Sequence, residues 1–202
     1  MSRAMITTVV ADALVDDHID ALASALVDFR PAAGRLVRWG RGLAAVLDEG
    51  GRVLVAGNGG SAAEAAHLAS ELVGRVRDDR RPYSAIALGG DLATLTALGN
   101  DYGFAEVFAR QVQAHGREGD VLITMSTSGR SENLLVAARM ARSMGLSTWA
   151  LTGPAPNPLA LLCDDALPVS GNAQTVQELH LMCVHMLCEQ VEAALLGGEA
   201  LR

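Results

Sequence analysis

Short runs of β-branched and aliphatic residues alternate along this chain with stretches of helical periodicity, about five times over. The predicted strands fall at residues 52–56, 83–88, 120–125, 147–152 and 165–169. Between and after them, helical patterns span about 61–76, 92–98, 104–114, 131–144 and 175–196. The strand segments read as unbroken apolar runs, not as alternating ones, so both faces of each must be covered. That requirement selects an α/β fold: a doubly wound αβα sandwich around a five-stranded parallel sheet.

Two helices precede the first strand. Over residues 11–30, Ala13, Leu14, Ile19, Leu22 and Leu26 recur at helical spacing until Pro31 ends the pattern. A second stretch, 34–47, stops at the turn Glu49-Gly50-Gly51. Neither a linker nor a repeat divides the chain, so residues 1–202 are expected to form one domain, with 1–48 as a helical hairpin used in oligomer packing and 49–202 as the αβα core. The opening helices and the last helix carry more apolar surface than one sheet face can cover, which points to self-association.

Half of the 202 residues are hydrophobic and 19% are charged, which supplies a core and argues against disorder. With only 2 Trp, 2 Tyr and 3 Phe, that core is built from Ala, Val, Leu and Met, and a base-stacking platform is not expected. Sixteen Lys and Arg against 23 Asp and Glu leave a formal charge of −7, which argues against affinity gained by neutralising nucleic-acid phosphates. Cys163, Cys183 and Cys188 show no metal-site spacing and are expected as buried, reduced thiols of a cytoplasmic protein. The first 14 residues do not read as a signal peptide, and the most apolar region, 85–98, is interrupted by Asp91, so no membrane span is expected.

In such a sheet, ligands bind beyond the carboxyl ends of the strands, which directs attention to the turns after Ala56, Leu88 and Met125. The first turn, Gly57-Asn58-Gly59-Gly60-Ser61, lets main-chain amides approach an anion at a helix start, although it is neither a dinucleotide fingerprint nor a P-loop and also suits a tight structural turn. The third, Ser126-Thr127-Ser128-Gly129-Arg130-Ser131, gathers four hydroxyls. Ser131 alone could serve as a helix cap, but one cap needs one hydroxyl, and the surplus suits a phosphate cradle.

Two polar clusters fall on helices. Glu64, His67 and Glu71 share one stripe, either as a solvated face or as an acid/base or metal group. The last helix sets Gln177, Glu178, His180 and His185 among apolar residues. Gln177 and His185 lie about 12 Å apart along its axis, so they either reach one ligand from two ends or serve sites shared between subunits. Helical spacing alone would pair Glu178 with His185, and His180 reads either as a satisfied core histidine or as a site residue.

Taken in order, Gly57-Asn58-Gly59-Gly60-Ser61, His67 with Glu71, Gly99-Asn100-Asp101-Tyr102-Gly103, Ser126 to Ser131, and Gln177-Glu178-Leu179-His180 followed by His185 resemble the sugar isomerase (SIS) family over nearly the whole chain. They resemble in particular its branch acting on sedoheptulose 7-phosphate. The resemblance implies a flavodoxin-like fold and conversion of D-sedoheptulose 7-phosphate to D-glycero-D-manno-heptose 7-phosphate through an enediol, the entry to activated heptose synthesis. It implies Glu71 and His185 as the acid/base pair. Asn58, Gly59, Gly60, Ser61, Glu71, Arg75, Asp91, Ser126, Thr127, Ser128, Ser131 and Gln177 would bind substrate. It further implies one zinc ion per subunit on His67, Glu71, Gln177 and His185, and a homotetramer without nucleic-acid or membrane partners.

The same resemblance admits a non-catalytic scaffold like the DnaA initiator-associating protein, whose kind tends to lose the counterparts of Glu71 and His185, or an isomerase for another sugar phosphate. One departure is Thr175, where sequences like the family often carry Arg. A hydroxyl there keeps contact with the sugar open but removes a positive charge.

Overall fold

A computed structural model describes the chain over residues 3–197, with side chains from residue 13 onward. The outermost positions of the expected 1–202 domain, 1–2 and 198–202, lie outside the described residues. Helix α1 (Arg3–Phe29) runs through a 3-10 turn, Arg30–Ala32, into α2 (Gly34–Asp48). Then follow β1 (Val53–Gly57), α3 (Gly60–Val73), β2 (Ala85–Ala87), α4 (Leu92–Tyr102), α5 (Ala109–His115) and β3 (Val121–Ser126). The chain continues through α6 (Glu132–Ser143), β4 (Ser147–Thr152), α7 (Pro158–Leu162) and β5 (Asp165–Pro168) to α8 (Ala173–Leu195).

All pairings are parallel and the strand order is β2-β1-β3-β4-β5. That is the flavodoxin-like doubly wound order, with its switch point between β1 and β3. Alternate strand residues feed two cores. Val53, Val55, Val121, Ile123 and Leu151 pack under α2, α3 and α8, while Leu54, Ala56, Leu122 and Ala150 pack under α5, α6 and α7. Trp39 of α2 stacks on Trp149 with ring centroids 4.9 Å apart and donates its indole N–H to Asp165 at 2.8 Å, which ties the second helix to the β4–β5 edge.

The element order agrees with the expectation and several boundaries move. Gly103 at φ +85° ends α4, and the region 104–114 divides into a 3-10 turn, Phe104–Glu106, and α5. The strand expected at 83–88 shortens to three residues, since the Tyr83 amide is taken by the Leu72 carbonyl at the end of α3. The proline-rich loop contains α7, which Asn157 caps through its bond from the Ala160 amide. Among the described residues, no helix is long and apolar enough to cross a membrane. All three cysteines are free and buried, and burial pushes their thiols up, to about 11 for Cys163 and about 12 for Cys183 and Cys188.

Candidate active site

The turns after β1 and β3 meet at the switch point. Gly57 must be glycine, because a side chain there would overlap the main chain of Ser61. Beyond it, Asn58 exchanges two amide hydrogen bonds with Asn133 of α6, at 3.0 and 2.9 Å, and so locks the first turn to the third. In the third turn the Gly129 amide donates to the Ser126 hydroxyl at 3.1 Å, the Arg130 amide donates to Ser128 at 3.2 Å, and the Ser126 and Ser131 hydroxyls lie 3.3 Å apart. Ser131 occupies the N-cap position of α6 but makes no capping bond, so its hydroxyl stays with Ser126. The outcome is a cavity of about 80 Å³ lined by Asn58, Ser61, Met125, Ser126, Thr127, Ser128, Ser131 and Gln177. Hydroxyls, two amide side chains and the start of a helix converge there on a volume suited to one tetrahedral anion.

Helices α3 and α8 run side by side in the same direction. Gln177, one turn into α8, packs on Gly60 at the start of α3, and further along His185 meets His67. His67 Nε2 lies 3.1 Å from His185 Nε2 and 3.3 Å from Glu71 Oε1, with the two imidazoles edge-on at 5.0 Å between centroids. Two imidazoles and a carboxylate that remain partly open to solvent can exchange protons with a bound ligand.

The donor set also bears on zinc. A tetrahedral ion with bonds near 2.0 Å separates its ligand atoms by about 3.3 Å, and His67, Glu71 and His185 come within that spacing pairwise through His67. Among the described residues no three His, Cys, Asp or Glu side chains are gathered as a ready metal shell, and Gln177 lines the hydroxyl cavity instead. Three of the four expected ligands therefore suit a metal by donor type without being gathered into a shell, and the fourth, Gln177, stands toward the cradle.

The structure redistributes several expected residues. Glu64 separates from His67 and Glu71 and turns into the α3–α8 seam, where its carboxylate is 3.9 Å from His180 Nδ1. Burial holds the Glu64 carboxyl up at about 7 and pushes the His180 imidazole down to about 4, against a smaller opposing effect of the Thr152 main chain. His180 is fully buried, as a core histidine would be, yet neither ring nitrogen has a hydrogen-bond partner among the described residues. Glu178 pairs with His18 of α1 at 2.7 Å and not with His185.

Thr175 is fully buried at the start of α8, which removes it from contact with a sugar in this subunit. Asp91 caps α4, where the Thr94 hydroxyl and the amides of Ala93 and Thr94 hold its carboxylate below the usual range. Arg75 is exposed just beyond α3, and neither it nor Asp91 lines the hydroxyl cavity. Gly59 borders a neighbouring apolar cavity with Phe104 and Phe108. Sequence reasoning missed Asn133 and Asn157. Asn157 bonds Thr152, Gly153 and Pro154 and packs where a side chain at Gly129 would lie, so it supports the cradle from behind.

Comparison with known proteins follows the same lines. A family model described as SIS domain matches residues 17–153. The chain is 60% identical over 183 residues to a phosphoheptose isomerase of Streptomyces coelicolor, covering 90% of this chain and 79% of that protein. Among solved structures, a phosphoheptose isomerase from Francisella tularensis superposes with a TM-score of 0.85 at 36% identity, covering 90% of this chain and 97% of that one. The phosphoheptose isomerase of Neisseria gonorrhoeae gives 0.85 at 34% identity, covering 91% and 99%.

Proposed function

The chain belongs to the SIS domain family, and from that premise we propose that it is a sugar-phosphate isomerase interconverting D-sedoheptulose 7-phosphate and D-glycero-D-manno-heptose 7-phosphate. One observation carries the reading. The hydroxyl cradle formed by the β3–α6 turn is closed by Ser61 of α3 and Gln177 of α8, and the same two helices carry the carboxylate and the imidazoles about two turns further along.

The cradle of Ser61, Ser126, Thr127, Ser128 and Ser131 takes the phosphate, with Asn58 and Gln177 at its rim. The open-chain sugar then extends along α3 and α8 toward His67, Glu71 and His185. Glu71 and His185 act as the pair. One removes a proton from C1 while the other protonates O2, which yields the 1,2-enediol; loss of the O1 proton and protonation of C2 complete the aldose. No electrons leave the substrate, so the pair needs no redox partner. His67, within 3.3 Å of both partners, orients them. His67, Glu71 and His185 would hold a zinc ion, which when bound supplies polarisation of the sugar oxygens, while Gln177, the fourth ligand the resemblance implies, lines the cradle of this subunit.

We further propose a cytoplasmic homo-oligomer, a tetramer by likeness to the family. Leu14, Val15, Ile19 and Val27 of α1 are 58 to 71% exposed, apolar surface that a second copy would cover.

The test is direct: incubate the purified protein with sedoheptulose 7-phosphate and follow the aldose by NMR. Glu71→Gln and His185→Ala should each abolish turnover in a protein that stays folded. Parent-like activity in either would sink the acid/base assignment. Metal analysis of the same preparation addresses zinc.

A further inference from the structure

Behind the acid/base pair lies a buried ion pair that the proposed chemistry does not use. Helix α3 ends at Val73, and the carbonyls of its last turn lack intrahelical donors. Arg80 reaches back to two of them, those of Glu71 and Leu72, the latter shared with the Tyr83 amide. One guanidinium nitrogen donates to the Leu72 carbonyl at 2.9 Å, and another donates to the carbonyl of Glu71 itself at 2.8 Å. The third, Nε, is 3.4 Å from Glu192 Oε1 of α8. The Glu192 carboxylate also accepts from the Val76 amide at 3.3 Å and the Arg77 amide at 3.0 Å. Both side chains are nearly closed off from water, at 4 and 5% exposure. Glu192 stands seven residues beyond His185, two turns along the same stripe of α8.

We propose that Arg80 and Glu192 are positioning residues for the isomerisation, a clamp that sets the gap between Glu71 on α3 and His185 on α8. The inference rests on the reading of Glu71 and His185 as the acid/base pair. Stability alone does not account for the clamp, because a buried ion pair roughly breaks even against apolar residues that would fill the same seam. Apolar residues could not hold four main-chain groups, the carbonyls of 71 and 72 and the amides of 76 and 77, in fixed directions. A planar guanidinium fork opposite a carboxylate does so. Proton transfer is sensitive to such placement, since a shift of about 1 Å can cost on the order of 100-fold in rate.

Arg80→Lys and Glu192→Gln, made in the full chain, are assayed with sedoheptulose 7-phosphate and for inhibition by inorganic phosphate, which needs only the cradle. The expected result is a kcat lower by roughly 10- to 100-fold, with KM and phosphate inhibition within about twofold of the parent. In a Glu71→Asp background, where the carboxylate is already displaced, Arg80→Lys should cost no more than about threefold further, because both changes act through one position. A general weakening of the fold would not produce that non-additivity. If Arg80→Lys does not fold, Glu192→Gln carries both measurements. A raised KM with kcat kept, fully additive losses, or parent-like kcat in a folded variant overturns the clamp. Turnover surviving Glu71→Gln or His185→Ala would instead sink the acid/base reading, an outcome the clamp variants cannot produce by themselves.

Discussion

Glu64 and His180 show how one buried contact can hide two opposing titrations. Burial raises the Glu64 carboxyl from 4.5 to about 7, so the folded protein holds a proton there that the unfolded chain releases. This contribution is fully present below pH 4.5 and is lost as pH rises to about 7. Burial lowers His180 from 6.5 to about 4, so the unfolded chain binds the extra proton, and stability is lost as pH falls from 6.5 to about 4. The two slopes cancel over most of that window. His180→Phe should therefore leave stability falling between pH 4.5 and 7, and Glu64→Gln should leave it rising between 4 and 6.5. Each slope should approach about 1.4 kcal/mol per pH unit at its steepest, read by denaturant titration. A flat profile in both variants would show that the pair does not titrate as its burial demands. At the same scale, Ser126→Ala combined with Ser128→Ala removes two hydroxyls from the anion and should raise KM by tenfold or more, to order of magnitude, with a far smaller effect on kcat.

Among the elements, the turns rather than the helices decide whether the site forms. Gly129 adopts φ +61°, and a methyl group there would run into Asn157. Gly129→Ala should cost about 1–2 kcal/mol for the left-handed backbone alone, with the overlap adding to it, and substrate affinity should fall together with melting temperature. The strand–helix alternation and the hydroxyl-rich turn were legible in the residues because each is local: an apolar run, a cluster of Ser and Thr, a glycine where amides must face outward. The partnership of His67 with His185 was within reach only through the family resemblance. Nothing local in the chain sets α3 beside α8; the two histidines, 118 positions apart, are brought together by the strand order. Glu178 misled for the same reason. Spacing of i, i+7 favoured His185 as its partner, but α1 lays His18 across that face of α8. Asn133 and Asn157 gave no signal because a buried amide is conspicuous only once the carbonyls and amides it satisfies are in place.

Seen as a whole, the subunit leaves α1 with one face on α8 and an apolar face to solvent. Val15→Glu with Ile19→Glu changes two exposed positions, so the monomer fold should persist while light scattering reports a lower mass; an unchanged mass would move the interface elsewhere. The parallel run of α3 beside α8 has one more consequence. Ser61 and His67 are six residues apart and Gln177 and His185 eight, so the cradle and the proposed acid/base groups stand about 9 to 12 Å from each other. Two rigid rods thus act as a caliper for carbon-chain length. A pentulose phosphate seated by the same tail would stop short of the jaws, occupying the enzyme as an inhibitor while reacting poorly.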